Sequence, residues 1–325
     1  MSPALENPRE FIEEYFTQTL HLKSHRLDEY TTDKEGIRIM WLSAAGSMKT
    51  ILQLENKETC ISKLSKMGIP CPDTLGFIRK ESDTLIWEDK RGTKSDLRQL
   101  LEQEGRVFVK PTDGYYGRGC LLLEKLDGTY VIANDERITF TDLAGRINKD
   151  LQIEKVLTNH PDLARFHKAS LNTLRLITMK GPNNGIYLDR AVLRMGINGK
   201  HTDNWCTGGL AVRIMPDGTL DQLGLYEDPS MAPTEFHPNS KIVFHGQKVP
   251  FYNEAVDLVL SIHRHFSRIN GLGFDVAITE NGPLVVEINP FFSLFQPQCG
   301  GVRKMYYKRY LPQALRYAEL TDQIL

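Results

Sequence analysis

The chain has 325 residues, 41% hydrophobic and 25% charged, with a formal net charge of −1. That length accommodates two domains or one large lobed domain, and the near-zero charge excludes a bulk electrostatic footprint for nucleic acid or an anionic membrane. No apolar run reaches the ~18 residues a membrane span needs. Five cysteines (Cys60, Cys71, Cys120, Cys206, Cys299) are scattered and lack C-x-x-C spacing, which fits neither a disulfide framework nor a zinc site. The polar start MSPALENPRE has no secretion-type apolar region, so a reducing cytoplasm is the expected location.

Asn7-Pro8-Arg9-Glu10 reads as a helix start: Asn7 is the N-cap, Pro8 takes the first helical position and Glu10 closes a capping box. Phe11, Ile12, Tyr15, Phe16 and Leu20 follow at helical spacing. TTDKEG (31–36) is a turn, and 37–43 forms a short strand or helix. A second amphipathic helix is expected from about Glu55 to Met67, stopped by Gly68 with Pro70 and Pro72 beyond it. RVFVK (106–110) alternates as a strand and runs into a glycine-rich turn, Pro111 to Gly119, before the strand CLLLEKL. Lysine precedes the glycines and no helix follows, so this is neither a Walker loop nor a dinucleotide fingerprint. Gly114, Gly117 and Gly119 let the backbone approach a ligand, and Lys110 and Arg118 bracket the turn with positive charge. It reads as a flap over polyphosphate or as a long hairpin loop with a surface lysine. Residues 129–133 are strand-like, 140–149 a short capped helix, and LQIEKVLTNHPDL (151–163) a strand entering a loop.

SLNTLRLITMK, a GPNNG turn and IYLDRAVLRMG predict an antiparallel pair from residue 170 onward. Arg175 shares a partly apolar face with Thr173 and Ile177, where a guanidinium needs an anion. Arg190 and Arg194 share one face of the second strand, and at least one of the three arginines can serve a structural ion pair. In DNWCTGGL, Asp203, Asn204 and the pair Gly208-Gly209 are candidates to contact a ligand. Cys206, with no base in view, is expected to be inert. The proline-rich stretch 226–250, with His237-Pro238 and His245, either lines a cleft or forms surface turns. His263 and His265, on an amphipathic helix over 252–268, are expected on its solvent side. The aromatic and Gly-Gly stretch after residue 290 leads into a basic helix, for which near-zero net charge argues against nucleic acid.

LGFDVAITENGPLVVEINPF (272–291) reads as a β-hairpin. A three-residue loop, Glu280-Asn281-Gly282, puts Gly282 at the left-handed position. Asp275 then faces Glu287, Ala277 faces Val285, and Asn289 follows on the acidic face, while Val276, Ile278, Leu284, Val286 and Ile288 form an apolar layer. A one-residue slip would scramble both faces. Two carboxylates roughly 5 Å apart at Cβ repel, so either the face is solvated or a cation sits there; hard oxygens on a rigid hairpin suit Mg²⁺.

The order of FVKPTDGYYGRG, LQIEKVLTNHP, SLNTLRLIT, DNWCTGGL, His237-Pro238 and GFDVAITENGPLVVEINP resembles the ATP-grasp superfamily, most closely its sugar-transfer-associated branch, over roughly residues 57–300. The resemblance implies an α+β ATP-grasp fold, two α+β lobes gripping ATP between antiparallel sheets, with an N-terminal helical segment. Its domains would be residues 1–56, a small lobe over 57–155 and a large lobe over 156–325. It implies that Lys110 contacts the α/β-phosphates and that the loop of Asp113, Gly114, Tyr115, Tyr116, Gly117, Arg118 and Gly119 closes over them. Lys57 takes an earlier landmark. The crossover of Gln152, Glu154, Lys155 and Val156 would be the hinge, its backbone reading adenine, with Asp162 at the ribose. Asp275, Glu287 and Asn289 would hold Mg²⁺, and Arg175 and Arg194, with Asn204 nearby, would face the transferred phosphoryl. Many peptide-ligase relatives carry an arginine where Asp203 precedes Asn204, so the phosphoryl-stabilising arginine stays open between Arg175 and Arg194. The implied reaction is ATP- and Mg²⁺-dependent ligation of a small-molecule carboxylate to an amine or another nucleophile such as a thiol, by way of an acylphosphate, in specialised-metabolite or cell-surface glycan biosynthesis. Phosphorylation of a hydroxyl and non-catalytic nucleotide binding are the alternatives. No nucleic-acid or membrane partner is implied, and a homodimer is compatible with it.

Overall fold

The structure, a computed structural model, describes residues 48–80, 86–89, 92–113, 119–127, 129–181, 184–228 and 230–292. The expected N-terminal helix, the 37–43 element, Gly114–Arg118 of the flap and the C-terminal basic helix lie outside the described residues. Contacts divide the chain into a unit spanning Glu55–Thr158 and a second unit formed by the residues on either side of it.

Helix α1 (Met48–Glu55) belongs to the second unit as far as Leu54; in the unit Glu55–Thr158, α2 (Lys57–Lys66) is capped by Asn56, which accepts the Thr59 amide, and ends at Met67 before Gly68. The described strands of this unit form one antiparallel sheet of eight: β1 (Thr74–Ile78), β2 (Ile86–Asp89), β3 (Lys94–Asp96), β4 (Arg106–Pro111), β5 (Leu121–Lys125), β6 (Tyr130–Ala133), β7 (Glu136–Thr139) and β8 (Leu151–Lys155). Their order is β3-β2-β1-β8-β4-β5-β6-β7. Helix α3 (Leu97–Glu104) shows why the core forms. Asp96 caps it through the Arg98 amide, Gly105 closes it at φ 73°, and Leu97, Leu100 and Leu101 fall on one stripe at helical spacing. They bury against Val107, Val109, Leu123 and Ile153; truncating Leu101 to alanine should cost about 2–5 kcal/mol. Helix α4 (Phe140–Arg146) begins with a complete Thr139/Asp142 capping box and contributes Phe140 and Leu143 to the same core.

The second unit carries the short helix α5 (Pro161–Ala164), then β9 (Thr173–Lys180), β10 (Ile186–Met195), β11 (Leu210–Ile214), β12 (Leu220–Leu225), helix α6 (Tyr252–His265), β13 (Gly271–Thr279) and β14 (Gly282–Asn289). Its sheet runs β12-β11-β10-β9-β13-β14, antiparallel at every step. Tyr252, Ala255, Val259, Ile262 and His263 form the buried stripe of α6. Thr178 Oγ1 meets His263 Nδ1 at 2.6 Å, which places α6 over the sheet face of Leu174, Leu176 and Thr178. His263 is therefore core, contrary to the solvent-side expectation. Its Nε2 reaches the Ile269 carbonyl at 3.0 Å, and burial pushes its pKa down to about 4. His265 is exposed.

His237 is neither a cleft residue nor a surface turn. It is fully buried, with Nε2 2.9 Å from the Gly196 carbonyl and its ring 5.8 Å from that of His167. Burial pushes its pKa down to about 4 as well. His167 meets Ser170 Oγ, which donates to Asn172 Oδ1 and accepts the Gly196 amide, so the polar atoms beneath the end of β10 are satisfied from side chains.

The β13–β14 hairpin corrects the expected register at its turn. Thr279 pairs with Gly282, Ile278 with Pro283, Ala277 with Leu284 and Val276 with Val285. The loop is thus two residues, with Gly282 at φ 108°. A bulge between Asp275 and Val276 then takes up Val286 and restores Asp275 opposite Glu287. Leu284 consequently leaves the expected apolar layer and Val285 enters it. Tertiary burial explains the difference: Leu272 to Ile278 of β13 are buried on both faces, so strict alternation does not dictate the pairing there.

Candidate active site

Register assembles the site. β13 puts Asp275 beside Arg175 of β9 on one side and Glu287 of β14 on the other; Arg175 in turn lies beside Val192 of β10, two residues from Arg194. All of these point to the face opposite α6. The anion Arg175 needs is Asp275: Arg175 Nε lies 2.5 Å from Oδ1 and Nη2 3.1 Å from Oδ2, a bidentate grip. Arg194 Nη2 reaches the same Oδ2 at 2.9 Å. Burial alone would push the Asp275 carboxyl up, but the two guanidinium groups outweigh it and hold the pKa at about 2.

Arg194 has a second carboxylate. Its Nε lies 3.6 Å from Asp203 Oδ2, and Thr173 Oγ1 bridges the two, accepting from Arg194 Nη2 at 2.7 Å and donating to Asp203 at 2.5 Å. The Thr173 amide also donates to Asp203, at 2.9 Å. Burial pushes Arg194 down, but the paired carboxylates raise it well above the usual range; burial pushes Asp203 up. Asp203, through Thr173 and directly, therefore aims Arg194. Asn204 caps the 3₁₀ turn Trp205–Thr207 by accepting the Cys206 amide at 3.2 Å. Gly208 ends that turn at φ 92°, and a Cβ on Gly209 would stand 2.6 Å from the Asp203 carbonyl oxygen. The glycine pair thus folds the loop that presents Asp203. Cys206 is pushed up to about 11, by burial first and then by Glu227. Arg190 shares the face of Arg194, as expected, but its Nε lies 3.4 Å from its chain neighbour Asp189.

Mg²⁺ is the metal the resemblance implies, and the residues fit it. Asp275 and Glu287 supply carboxylate oxygens and Asn289 an amide on one side of one hairpin. Gly273 stands opposite Asn289, whose buried Nδ2 has no hydrogen-bond partner. Among the described residues no group of three His, Cys, Asp or Glu side chains could hold an ion alone. Two carboxylates plus an amide is the sparse oxygen set Mg²⁺ takes when water and phosphate complete its shell.

In the unit Glu55–Thr158, Lys110 and Glu154 form a buried ion pair at 2.8 Å, their side chains 5% and 4% exposed. Gln152, directly across from Lys110, donates to Glu154 Oε1 at 2.7 Å and to Thr74 Oγ1 at 3.2 Å, while its own Oε1 is buried without a partner. Glu154 is flanked by β1 and β4, and Val156 is the first residue beyond the strand. Asp113 is exposed, 3.7 Å from Lys149, and Asp162 is exposed at the start of α5. The lysine's buried carboxylate partner and the Asp203–Thr173–Arg194 bridge were not legible from motif order. The alternation of LQIEK with Glu154 on the lysine's face is the one signal that pointed to the former.

The family described as sugar-transfer associated ATP-grasp matches residues 41–304. Among solved structures, D-alanyl-alanine synthetase A from Vibrio cholerae O1 biovar eltor aligns at 14% identity over 81% of this chain and 66% of its own, TM-score 0.45. D-alanine–D-alanine ligase from Bacillus anthracis complexed with ATP aligns at 13% over 82% and 68%, TM-score 0.44. N5-carboxyaminoimidazole ribonucleotide synthetase from Thermotoga maritima aligns at 14% over 73% and 42%, TM-score 0.38. The chain thus spans between two fifths and two thirds of the length of such structures. No curated protein matches the sequence. Among the described residues no helix is long and apolar enough to cross a membrane.

Proposed function

The chain belongs to the sugar-transfer-associated ATP-grasp family, and on that premise we propose that it is an ATP- and Mg²⁺-dependent ligase activating a small-molecule carboxylate as an acylphosphate for attack by an amine. The observation that carries this reading is the Arg175–Asp275–Arg194 constellation: buried, prepaid in desolvation, and continued along the hairpin by Glu287 and Asn289. Fixed guanidinium groups of this kind stabilise charge that develops on a phosphoryl group without reorganising during reaction.

A carboxylate oxygen attacks the γ-phosphorus and the bond to the β,γ-bridging oxygen breaks, releasing ADP. The amine then attacks the acyl carbon, a C–N bond forms, the C–O bond breaks and inorganic phosphate leaves, with the amine proton passing to solvent or to phosphate. Asp275, Glu287 and Asn289 would hold Mg²⁺, which would supply charge neutralisation to the triphosphate. Arg175 and Arg194 hold the phosphoryl oxygens, and Asn204 shapes the loop that sets Arg194. Lys110 meets the α/β-phosphates by exchanging Glu154 for them. Backbone from Lys155 and Val156 onward reads adenine, and Asp162 receives the ribose hydroxyls. No protein nucleophile is needed, because positioning and charge neutralisation do the work. This agrees with a Cys206 thiol pushed up to about 11.

The test supplies ATP, Mg²⁺, a panel of acids and hydroxylamine, which captures an acylphosphate as its hydroxamate. Acid-dependent ADP with matching hydroxamate is expected. ADP accompanied by a stable phosphate ester and no hydroxamate, or no acid-dependent ADP at all, overturns the reading.

A further inference from the structure

The arginine face continues past Arg175 and Arg194 toward the sheet edge. Arg213 of β11 pairs with Val192, which pairs with Arg175, so the three lie in one row across β11, β10 and β9. Arg190 and Arg194 flank Val192 along β10, and the buried Val192 is thereby ringed by four guanidinium groups. A bulge lies between Leu188 and Arg190. Without it Tyr187 and Arg190, three residues apart, would point to opposite faces. With it Tyr187 pairs with Met179 and Arg190 with Ile177, and both join the Arg175 face. Bulges that re-aim side chains are a recurrent device beside binding sites.

At the Arg175/Arg194 end Asp275 and Asp203 are held at close range. At the other end Arg190 has Asp189 at 3.4 Å, Arg213 has Asp221 at 4.0 Å, and the Tyr187 phenol stands nearby. The Arg190 side chain is 12% exposed, that of Arg213 29%. Burial lowers the Arg190 pKa, Asp189 raises it and the neighbouring Arg213 lowers it again.

We propose that Tyr187, Arg190 and Arg213 form a subsite for a second anionic group on the acid substrate, so that the ligase takes diacids in preference to monoacids. Strands stand about 4.8 Å apart and rise about 3.3 Å per residue, so Arg190 and Arg213 lie on the order of 8–10 Å from Arg175. That span suits a small molecule with its reacting carboxylate at Arg175/Arg194 and its second anion at Arg190/Arg213. The substrate assignment rests on the ligase reading; the anion subsite itself does not.

The experiment is therefore an equilibrium one. Acetate, succinate and inorganic phosphate are titrated calorimetrically into the full chain without nucleotide. Succinate is expected to bind at least 10-fold more tightly than acetate; phosphate binding as well as succinate would make the second group a phosphate and sustain the subsite. R190Q and R213Q should each remove the preference by 10-fold or more while leaving affinity for a non-hydrolysable ATP analogue within 2-fold, and R190K should keep part of it. R213Q changes the more exposed side chain and remains informative if R190Q fails to fold. Equal binding of acetate and both dianions, or a preference that survives R190Q and R213Q, overturns the subsite. Dianion selectivity in a protein without acid-dependent ADP release would sustain it while refuting the ligase reading.

Discussion

The two sheets bury charge in different ways. Among the described residues of the eight-stranded sheet, the buried pair Lys110–Glu154 sits beside the neutral groups of Gln152 and Thr74. In the six-stranded sheet Asp275 is shared by two arginines, and one of these is shared again with Asp203 through Thr173. A buried pair gains about as much from attraction as it loses by desolvation, and separating it leaves a costly unpaired charge, so a new anion can take Lys110 only by offsetting the Glu154 carboxylate it leaves behind. In the shared network Asp275, Arg194 and Asp203 are each fixed by two others, so an exchange there breaks more than one contact. On the proposed function, one sheet keeps a cation that moves onto a phosphate and the other keeps cations that stay where they are.

The strongest way to break that contrast is Asp275→Asn. Removing the charge leaves two buried guanidinium groups facing a neutral amide, so a stability loss of about 3–5 kcal/mol is expected, together with loss of ATP turnover. Urea unfolding and ADP release measure the two. Unchanged stability would mean that the arginines do not depend on Asp275, and the network would be no network.

Next is a cycle on the isolated pair. Lys110→Met alone strands the Glu154 carboxylate and should cost about 3 kcal/mol, while Lys110→Met with Glu154→Gln should recover most of it. Both variants should need far more ATP for half-saturation. A double variant as unstable as the single one would show that Lys110 is as entangled as Arg194.

Much of this contrast was legible in the chain and some was not. The facing of Asp275 and Glu287 followed from alternation, and Arg175's need for an anion followed from its place mid-strand. The turn register did not, because β13 is buried on both faces and a bulge at Val286 offsets the shorter loop. The Lys110–Glu154 pair depends on β4 lying against β8, strands some forty residues apart with three others between them in sequence. Its partner could be guessed only once that adjacency was known. His263 was misplaced because a single helical position decides between faces, and the hydroxyl of Thr178 makes the inward one habitable.

Acid separates the two units. His237 and His263 have folded-state pKa values of about 4, below the ordinary 6.5. The unfolded chain therefore binds protons first as pH falls, and stability present above pH 6.5 is lost between 6.5 and about 4, by up to roughly 3 kcal/mol per histidine. Asp275, depressed to about 2, adds its loss only below about 3.8. Residues 55–158 contain no histidine. Hydrogen exchange at pH 4.5 should thus deprotect β9, β10 and α6 while β4 and β8 stay protected. Uniform opening of both sheets would count against separate charge economies.

The smallest effect is expected at Cys206. Arg175 and Arg194 both pull its thiol pKa down, yet burial and the Glu227 carboxylate outweigh them and leave it at about 11. The positive potential of the arginines is thus largely consumed by Asp275 and Asp203, and at pH 7 only about one thiol in ten thousand is ionised. Cys206→Ser should leave turnover within about 2-fold, and iodoacetamide should modify the exposed side chain more slowly than a free cysteine. Rapid alkylation at neutral pH would mean that the arginines project uncompensated charge into their surroundings. In that case the carboxylates would not be what holds them in place, and the six-stranded sheet would resemble the eight-stranded one after all.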